Sequence, residues 1–215
     1  MKYNSTLLFS TLVFLLNACA STPEERVDAL YLQQGITAPE QRNFIHCHGY
    51  GCKHQKPITL SEDNWQKIVN TFKQLPNSDP ESERHNISVA IGEFEKIVGE
   101  MANTSEDVRR SFLKLGRHQL DCVDESTNAI TYMTVMRLNG LITYHDVLTP
   151  SFRFLENGLP TWPHQAATLI EKQSKDKYVV DSWFRDNGYP AFIVPARKWK
   201  LGWSPKKADM PELEN

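Results

Sequence analysis

Several features are missing from this 215-residue sequence, and each absence narrows what the protein can be. It has no basic stripe, and its 24 Lys and Arg residues are outnumbered by 26 Asp and Glu residues, which argues against a nucleic-acid partner. It has no internal repeat and no low-complexity tract. Its longest apolar run, residues 7–16, is too short to span a bilayer. The length that follows this run suits one domain with a sizeable core.

The N-terminal residues are typical of a secretion signal. Lys2 precedes the apolar run, which leads into Leu16-Asn17-Ala18-Cys19. A charged start, a short apolar core and a small residue before the cut predict a cleaved signal peptide over residues 1–18. The last four of these residues resemble a bacterial lipobox, in which the cysteine is acylated and becomes the mature N-terminus. An ordinary signal peptide that happens to contain Cys19 is the alternative.

The lipobox interpretation predicts where the protein resides. Lipid on Cys19 would anchor the chain to a membrane without spanning it. Ala20 and Ser21 lack the acidic residue that tends to mark retention in the inner membrane. By resemblance, we therefore expect a lipid-anchored protein of the bacterial cell envelope, on the periplasmic face of the outer membrane.

Cysteine is scarce, and each of the four residues can be given a role. Cys19 is assigned to lipid. Cys47 and Cys52 enclose His-Gly-Tyr-Gly, a flexible turn that can close a small disulfide. Such bonds persist in the oxidising compartments that exported proteins reach. Cys122 is then unpaired, and an odd cysteine in an exported chain indicates a free reactive thiol.

The loop around Cys47 and Cys52 also allows other interpretations. Three histidines accompany the two cysteines between His46 and His54, and such a cluster could bind a metal ion. The spacing fits neither a Cys-x-x-Cys zinc ribbon nor a Cys-x-x-Cys-His haem site. A disulfide-closed loop, a metal site, two free thiols and a partner-binding loop all remain open.

Apolar periodicity predicts helices in the first half of the chain. They cover residues 24–34, 62–75 and 81–101, and a further helix begins at Thr104 or Ser105 and includes Val108, Phe112 and Leu113. We expect these helices to pack around the core and not to bind a cofactor.

The stretch from Leu120 to Leu141 predicts a helix with a cysteine in its first turn. Asp121 is a favourable N-cap, and Gly140 is placed to end the helix. Small and apolar residues recur at helical spacing from Cys122 onward, which predicts one buried stripe. A thiol in the first turn points toward free backbone N–H groups, and these stabilise the reactive thiolate. Gln119, just before the helix, could donate a hydrogen bond to an oxyanion.

Beyond Gly140 the pattern changes to strands, predicted over residues 142–148, 152–155, 164–172, 177–181 and 191–194. His164 begins the third of these strands and Asp181 ends the fourth. The sequence therefore predicts an α+β fold, with N-terminal helices followed by the cysteine-bearing helix packed on an antiparallel sheet. Cys122, His164 and Asp181, in that order on helix, strand and strand, form the pattern most typical of chemistry.

These residues resemble the bacterial transglutaminase-like cysteine proteinases of the papain-like superfamily. The resemblance rests on residues 120–124 (LDCVD), the helix end at residues 138–141 (LNGL), His164 before an apolar strand, and residues 178–183 (YVVDSW). It covers roughly residues 105–195. One departure is Leu120, where the family often has glycine.

The resemblance implies a fold, a catalytic site and a reaction. Residues 105–205 would form a transglutaminase-like catalytic core with Cys122, His164 and Asp181 as the triad and no cofactor. The remainder divides into a signal peptide (1–18), a tether and helix (19–40), a helical part with the Cys47–Cys52 loop (41–104) and a tail (206–215). The implied reaction is acyl transfer through a thioester, on an envelope protein or peptide. Attack by water gives hydrolysis, and attack by an amine gives cross-linking.

Two other functions stay open from the sequence. The first is a catalytically inactive transglutaminase-like module that binds a partner in the cell envelope. The second is a metal-binding envelope protein that uses the His46–His54 cluster. In either case Cys122 would be a buried small hydrophobe, His164 a satisfied sheet histidine and Asp181 a strand end.

Overall fold

The structure is a computed structural model that describes residues 21–111 and 116–209. The predicted signal peptide, Cys19, Phe112, Leu113 and the last six residues of the predicted tail lie outside the described residues. In the two described ranges, no helix is both long enough and apolar enough to cross a membrane.

The fold is α+β, as predicted. A two-stranded antiparallel hairpin pairs β1 with β2, and a four-stranded antiparallel sheet has the order β3-β4-β5-β6. In chain order the elements are α1 (Pro23–Gln34), β1 (Asn43–His48), β2 (His54–Thr59), α2 (Glu62–Phe72), α3 (Pro80–Ala102), α4 (Cys122–Leu138), β3 (His145–Glu156), β4 (Leu159–Glu171), β5 (Lys177–Asp181), β6 (Phe192–Pro195), α5 (Ala196–Lys200) and a 3₁₀ turn (Lys207–Asp209).

Two sequence predictions of secondary structure are wrong. Residues 104–111 form turns instead of the start of a helix. The strands predicted over 142–148 and 152–155 are one strand, β3, which runs through Pro150. Proline cannot donate to the ladder, and the pairing of β3 with β4 shifts register between Leu148 and Ser151. Because β3 is an edge strand, a bulge accommodates this proline where we expected a break.

Helix α4 lies at the centre of the molecule. The Asp121 side chain accepts hydrogen bonds from the Val123 and Asp124 backbone N–H groups, and Asp124 reaches back to complete a capping box. At the other end Gly140 has a φ of 74°, which glycine adopts without a steric penalty. Residues 124–136 are buried without interruption, so the predicted single stripe is wrong. The helix contacts β1, the large sheet and α3, and therefore has no face that must be polar.

The sheet is buried on both faces. Ala167 and Val180 belong to the main core together with residues of α4. The same core contains Tyr31 of α1, so the segments that we predicted separately from the sequence share one core. Ala166 and Val179, which alternate with them, pack on the other face. Trp199 of α5 covers that second face.

Candidate active site

His164 and Asp181 form a buried pair on neighbouring strands. Strands β4 and β5 are antiparallel with Ala167 opposite Val180, so His164 and Asp181 lie near the same end of the ladder. His164 Nε2 is 2.9 Å from Asp181 Oδ2, and the two side chains are 6% and 1% exposed. His164 Nδ1 has no hydrogen-bond partner among the described residues. The aspartate therefore fixes the ring and leaves one nitrogen for another group.

Aromatic side chains enclose this pair. Trp199 donates its Nε1–H to Asp181 Oδ2 at 2.7 Å. The ring centroids of Trp183, Trp199 and Phe184 lie 4.6, 5.4 and 5.6 Å from that of His164. The His164 and Asp181 side chains are buried in this environment, which strengthens the interaction between their charges. The sequence pattern did not identify these residues as part of the site. A buried tryptophan needs a partner for its N–H, and that requirement was the signal missed for Trp199.

Cys122, the first residue of α4, lines the same cavity as His164. It is half-buried and is the free cysteine of the described residues. Its thiol interacts with His164 and contributes to the raised pKa of that ring. The backbone N–H of Cys122 donates no hydrogen bond to a described residue, whereas the next two N–H groups, of Val123 and Asp124, donate to Asp121.

The charge state of His164 follows from these neighbours. Burial lowers the pKa of His164, but the charge and hydrogen bond of Asp181 outweigh it, with a smaller contribution from Cys122, and the pKa rises to about 9. At neutral pH the imidazole is therefore protonated. A positive charge and a helix N-terminus beside a thiol both favour the thiolate. The arrangement can supply a nucleophile and the proton that a leaving group needs.

A cavity of about 450 Å³ opens over Cys122 and His164. Trp162, Trp183 and Glu156 line it together with three arginines, Arg109, Arg110 and Arg153. This volume is within the range of small-ligand sites. With three cationic side chains and one anionic side chain, the cavity wall favours a substrate that carries negative charge.

Gln119, the predicted oxyanion donor, is engaged elsewhere. Its Nε2 donates to the Glu106 carbonyl at 2.8 Å, and its Oε1 accepts from the Val108 N–H at 3.2 Å. It is not among the described residues that line the cavity. Its amide group therefore fastens the turns at residues 106–108 to the start of α4.

Cys47 and Cys52 are joined by a disulfide, as one of the sequence interpretations predicted. Within residues 21–111 and 116–209, no three His, Cys, Asp or Glu side chains are grouped so as to hold a metal ion. The His46 ring is buried 3.1 Å from the Tyr132 hydroxyl, and burial lowers the pKa of His46 to about 3. The His48 ring lies 2.5 Å from the Arg117 carbonyl oxygen. The described residues therefore provide no ligand set for the metal-binding interpretation.

The disulfide loop holds the first turn of α4. The Asp124 carboxylate accepts hydrogen bonds from the Tyr50 and Cys52 N–H groups at 2.7 and 2.6 Å. Asn128 pairs with both the N–H and the carbonyl of Cys47 at 2.8 Å. Tyr50 and Cys52 have φ angles of 72° and 57°, so the loop needs these bonds to keep its shape. The loop thus fixes the helix end that carries Cys122.

Several buried carboxyl groups lie near the N-terminus of α4, on the side that faces the protein interior. Glu95 accepts from the Gly188 N–H at 3.0 Å, Asp107 from the Leu120 N–H at 2.7 Å, and Glu125 from the Ser182 hydroxyl at 2.5 Å. Burial raises the pKa of Glu95 to about 8 and that of Asp107 to about 7. Burial also raises the pKa of Glu125 well above its ordinary value. These groups attach the loops beside the site to α3 and α4.

Compared with known protein families, curated proteins and solved structures, the chain matches none. Its function therefore has to be inferred from the site itself.

Proposed function

We propose that this protein is a thiol-dependent acyl-transfer enzyme of the bacterial cell envelope. It carries a transglutaminase-like Cys122–His164–Asp181 triad and cleaves or transfers an amide of an envelope protein or peptide. One observation supports this most. The buried His164–Asp181 pair leaves a ring nitrogen free beside a cavity that it shares with a thiol at a helix N-terminus.

The residues have distinct roles in the proposed reaction. The Cys122 thiolate attacks the amide carbonyl carbon, and the carbonyl electrons move to oxygen as the C–S bond forms. The unpartnered Cys122 N–H is a donor for that oxyanion. His164 gives its proton to the departing amine as the C–N bond breaks, which leaves a thioester. Asp181 keeps the ring oriented and stabilises its charge.

The thioester is then resolved by water or by an amine. His164, now neutral, takes a proton from the attacking group, and the Cys122 thiolate leaves as the C–S bond breaks. Water yields a carboxylic acid and thus hydrolysis, whereas an amine yields a new amide and thus transfer. The 450 Å³ cavity has room for either acceptor beside an acyl chain.

Alkylation of Cys122 across a range of pH tests the proposal. An ordinary thiol, with a pKa of about 8.5, is only a few per cent ionised at pH 7. We expect iodoacetamide to label wild-type Cys122 rapidly at pH 6–7, Cys122→Ala to abolish labelling, and His164→Ala to remove the fast reaction. The wild type could instead react as an ordinary thiol, with a pH profile unchanged in His164→Ala. A catalytically inactive binding module would then be the better description.

The envelope location is a second part of the proposal. The lipobox-like residues 16–19 support a lipid on Cys19. The Cys47–Cys52 disulfide is compatible with an oxidising compartment. Cys19→Ser should move the protein out of the membrane fraction or stall its processing. An unmodified mature N-terminus beyond residue 19 would rule the anchor out.

A further inference from the structure

Arg153 is the most buried of the three arginines in the cavity wall. It is 3% exposed and lies directly opposite His164 in the pairing of β3 with β4. Side chains of directly paired residues project from the same face of a sheet. The guanidinium carbon lies 4.5 Å from the centroid of the Trp199 ring, which holds the group in place. Arg153 is thus a fixed cation beside the catalytic histidine.

Only part of the Arg153 guanidinium has partners. Nη1 donates to the Trp199 carbonyl at 3.1 Å and also to the Trp203 carbonyl. Nε is buried and unpartnered, and Nη2 donates no hydrogen bond to any described residue. Nε and Nη2 form an edge that can bind a carboxylate through two parallel hydrogen bonds. Buried donors without acceptors are costly, and Arg153 lines the cavity, so this edge points to a ligand that supplies the acceptor.

No carboxylate of the described chain pairs with Arg153. By contrast, Arg110 lies 2.5 Å from Glu156, and Arg109 lies 3.3 Å from Asp186. Burial lowers the pKa of Arg153, and the more distant charges of Asp181 and Glu156 offset part of that effect. An arginine guanidinium stays protonated in proteins, and among the three arginines of the cavity wall only Arg153 has no close counter-ion on a described residue.

We propose that the unpartnered Nε–Nη2 edge of Arg153 binds a carboxylate of the substrate, so that the enzyme acts on peptides with a carboxylate next to the amide that Cys122 attacks. This inference rests on the proposed function and names its substrate class. Paired residues on adjacent strands are about 5 Å apart, so a carboxylate on Arg153 and a carbonyl beside His164 fit one short peptide. The carboxylate can belong to an Asp or Glu side chain or to the peptide C-terminus.

Two alkylating agents that differ in one charge test the role of Arg153. Iodoacetate carries a carboxylate and iodoacetamide does not, so the ratio of their rates at Cys122 measures anion attraction. Protonated His164 contributes equally before and after an arginine substitution. We expect Arg153→Gln to lower the ratio at least about tenfold, which corresponds to about 1.4 kcal/mol.

Arg185→Gln is the matched control. Arg185 also has a buried, unpartnered Nε and stacks on an aromatic ring, 3.9 Å from the centroid of Phe192. It is not among the residues that line the catalytic cavity. The ratio should keep its wild-type value in this variant. An unchanged ratio in folded Arg153→Gln, or an equal loss in Arg185→Gln, overturns the proposal.

A second measurement uses the wild type and needs no variant to fold. N-acetyl-alanyl-glutamate amide, N-acetyl-alanyl-alanine acid and N-acetyl-alanyl-glutamine amide are tested for protection of Cys122 against iodoacetamide. We expect a carboxylate-bearing peptide to protect at concentrations about tenfold lower than the neutral one. The first peptide identifies a side-chain carboxylate and the second a C-terminal one. Equal protection by all three, or none at all, overturns the assignment of Arg153.

The failures of the two proposals are distinguishable. Slow labelling of the wild type by both reagents, at the rate of an ordinary thiol, means that the enzyme function itself is wrong. Fast labelling with no preference for an anion means that the triad is active and that only the assignment of Arg153 fails.

Discussion

The described part of the chain contains two buried histidine–carboxylate pairs, His164–Asp181 and His145–Glu83, and each has a contact of 2.9 Å. They differ in what the second ring nitrogen does. In the His145 pair, Nε2 lies 3.1 Å from an Arg84 nitrogen. Because arginine can only donate, Nε2 accepts and Nδ1 carries the hydrogen given to Glu83. Both ring nitrogens are used and both side chains are 0% exposed, so this pair has no group left for chemistry.

The contacts of the Glu83 carboxylate show the role of the His145–Glu83 pair. It accepts hydrogen bonds from the Thr143, Tyr144 and His145 N–H groups at 2.6 to 3.1 Å. Burial raises the pKa of Glu83, but these bonds and the one from His145 outweigh it, and the pKa is lowered overall. The carboxylate therefore connects α3 to the segment between α4 and β3. The His145–Glu83 pair therefore has a structural role. The His164–Asp181 pair differs from it by an unpartnered ring nitrogen that faces a cavity, and this nitrogen makes it the catalytic candidate.

Exchanging the two histidines for alanine should give opposite results, and this is the largest expected difference. His164→Ala should slow labelling of Cys122 at pH 7 by roughly 10²–10⁴-fold, the usual range for a lost proton-transfer group. The variant should stay folded, although the buried Asp181 carboxylate loses its charged partner. His145→Ala should leave the labelling rate of the folded protein unchanged but reduce the free energy of unfolding. Labelling kinetics and urea denaturation of both variants check this, and equal effects on labelling would remove the distinction between the pairs.

Glu83→Ala should be the most destabilising change at the structural pair. It leaves three backbone N–H groups and His145 without their acceptor, at a cost of about 3–5 kcal/mol in the free energy of unfolding. Glu83→Gln keeps the shape and one acceptor oxygen, so its cost should be smaller. Asp181→Asn is the matched change at the other pair. It should affect turnover more than labelling, because Asp181 orients the ring and does not attack. Denaturation curves that rank Glu83→Gln below Glu83→Ala would contradict this.

Local signals were enough to predict much of the candidate site. Asp121 and Gly140 mark the two ends of α4 through contacts within a few residues of their own positions. The bounds of α4 could therefore be predicted. The hairpin of β4 with β5 brings His164 and Asp181 together over a separation of 17 residues. Long-range contacts could not be predicted in this way. His145 meets Glu83 from 62 residues away, and nothing local marks that pairing.

Helix α4 shows a second limit of pattern reasoning. Its buried residues cover every side because β1, α3 and the sheet surround it, and no periodic pattern signals three different neighbours. The disulfide could be predicted from two closely spaced cysteines and from the oxidising compartment that an exported protein reaches. Its role at the start of α4 could not, because it depends on Asp124, 72 residues from Cys52.

The buried carboxyl groups near the start of α4 should make the free energy of unfolding fall as pH rises. Burial raises the pKa of Glu95 from 4.5 to about 8. A raised pKa means that the folded state binds the proton more tightly. The stabilisation is therefore fully present below the unfolded pKa and is lost as pH rises through about 8. Glu95→Gln removes the titrating group.

The difference in the free energy of unfolding between wild type and Glu95→Gln tests this pH dependence. Between pH 5 and pH 8 it should shift by a few kcal/mol in favour of the variant. Urea denaturation at several pH values gives the difference, in which groups common to both proteins cancel. A difference independent of pH would mean that the Glu95 carboxyl is not held protonated.

The smallest expected effect comes from the residue that supports Asp181 from behind. Trp199→Phe removes the 2.7 Å hydrogen bond to Asp181 Oδ2 but keeps an aromatic ring near His164. The imidazole stays protonated at pH 7 in this variant, so we expect the rate of Cys122 labelling at pH 7 to change little. Without that donor the Asp181 charge acts more fully on His164, and the pKa of His164 should rise further above its ordinary value. The alkaline limit of fast labelling should therefore move to higher pH, which a purely structural defect would not cause.

Trp203→Phe is the matched control, since Trp203 belongs to the same aromatic cluster but its side chain has no hydrogen bond to Asp181 in the described structure. A shift of the pH profile in Trp203→Phe, or its absence in Trp199→Phe, would mean that Trp199 acts by packing alone.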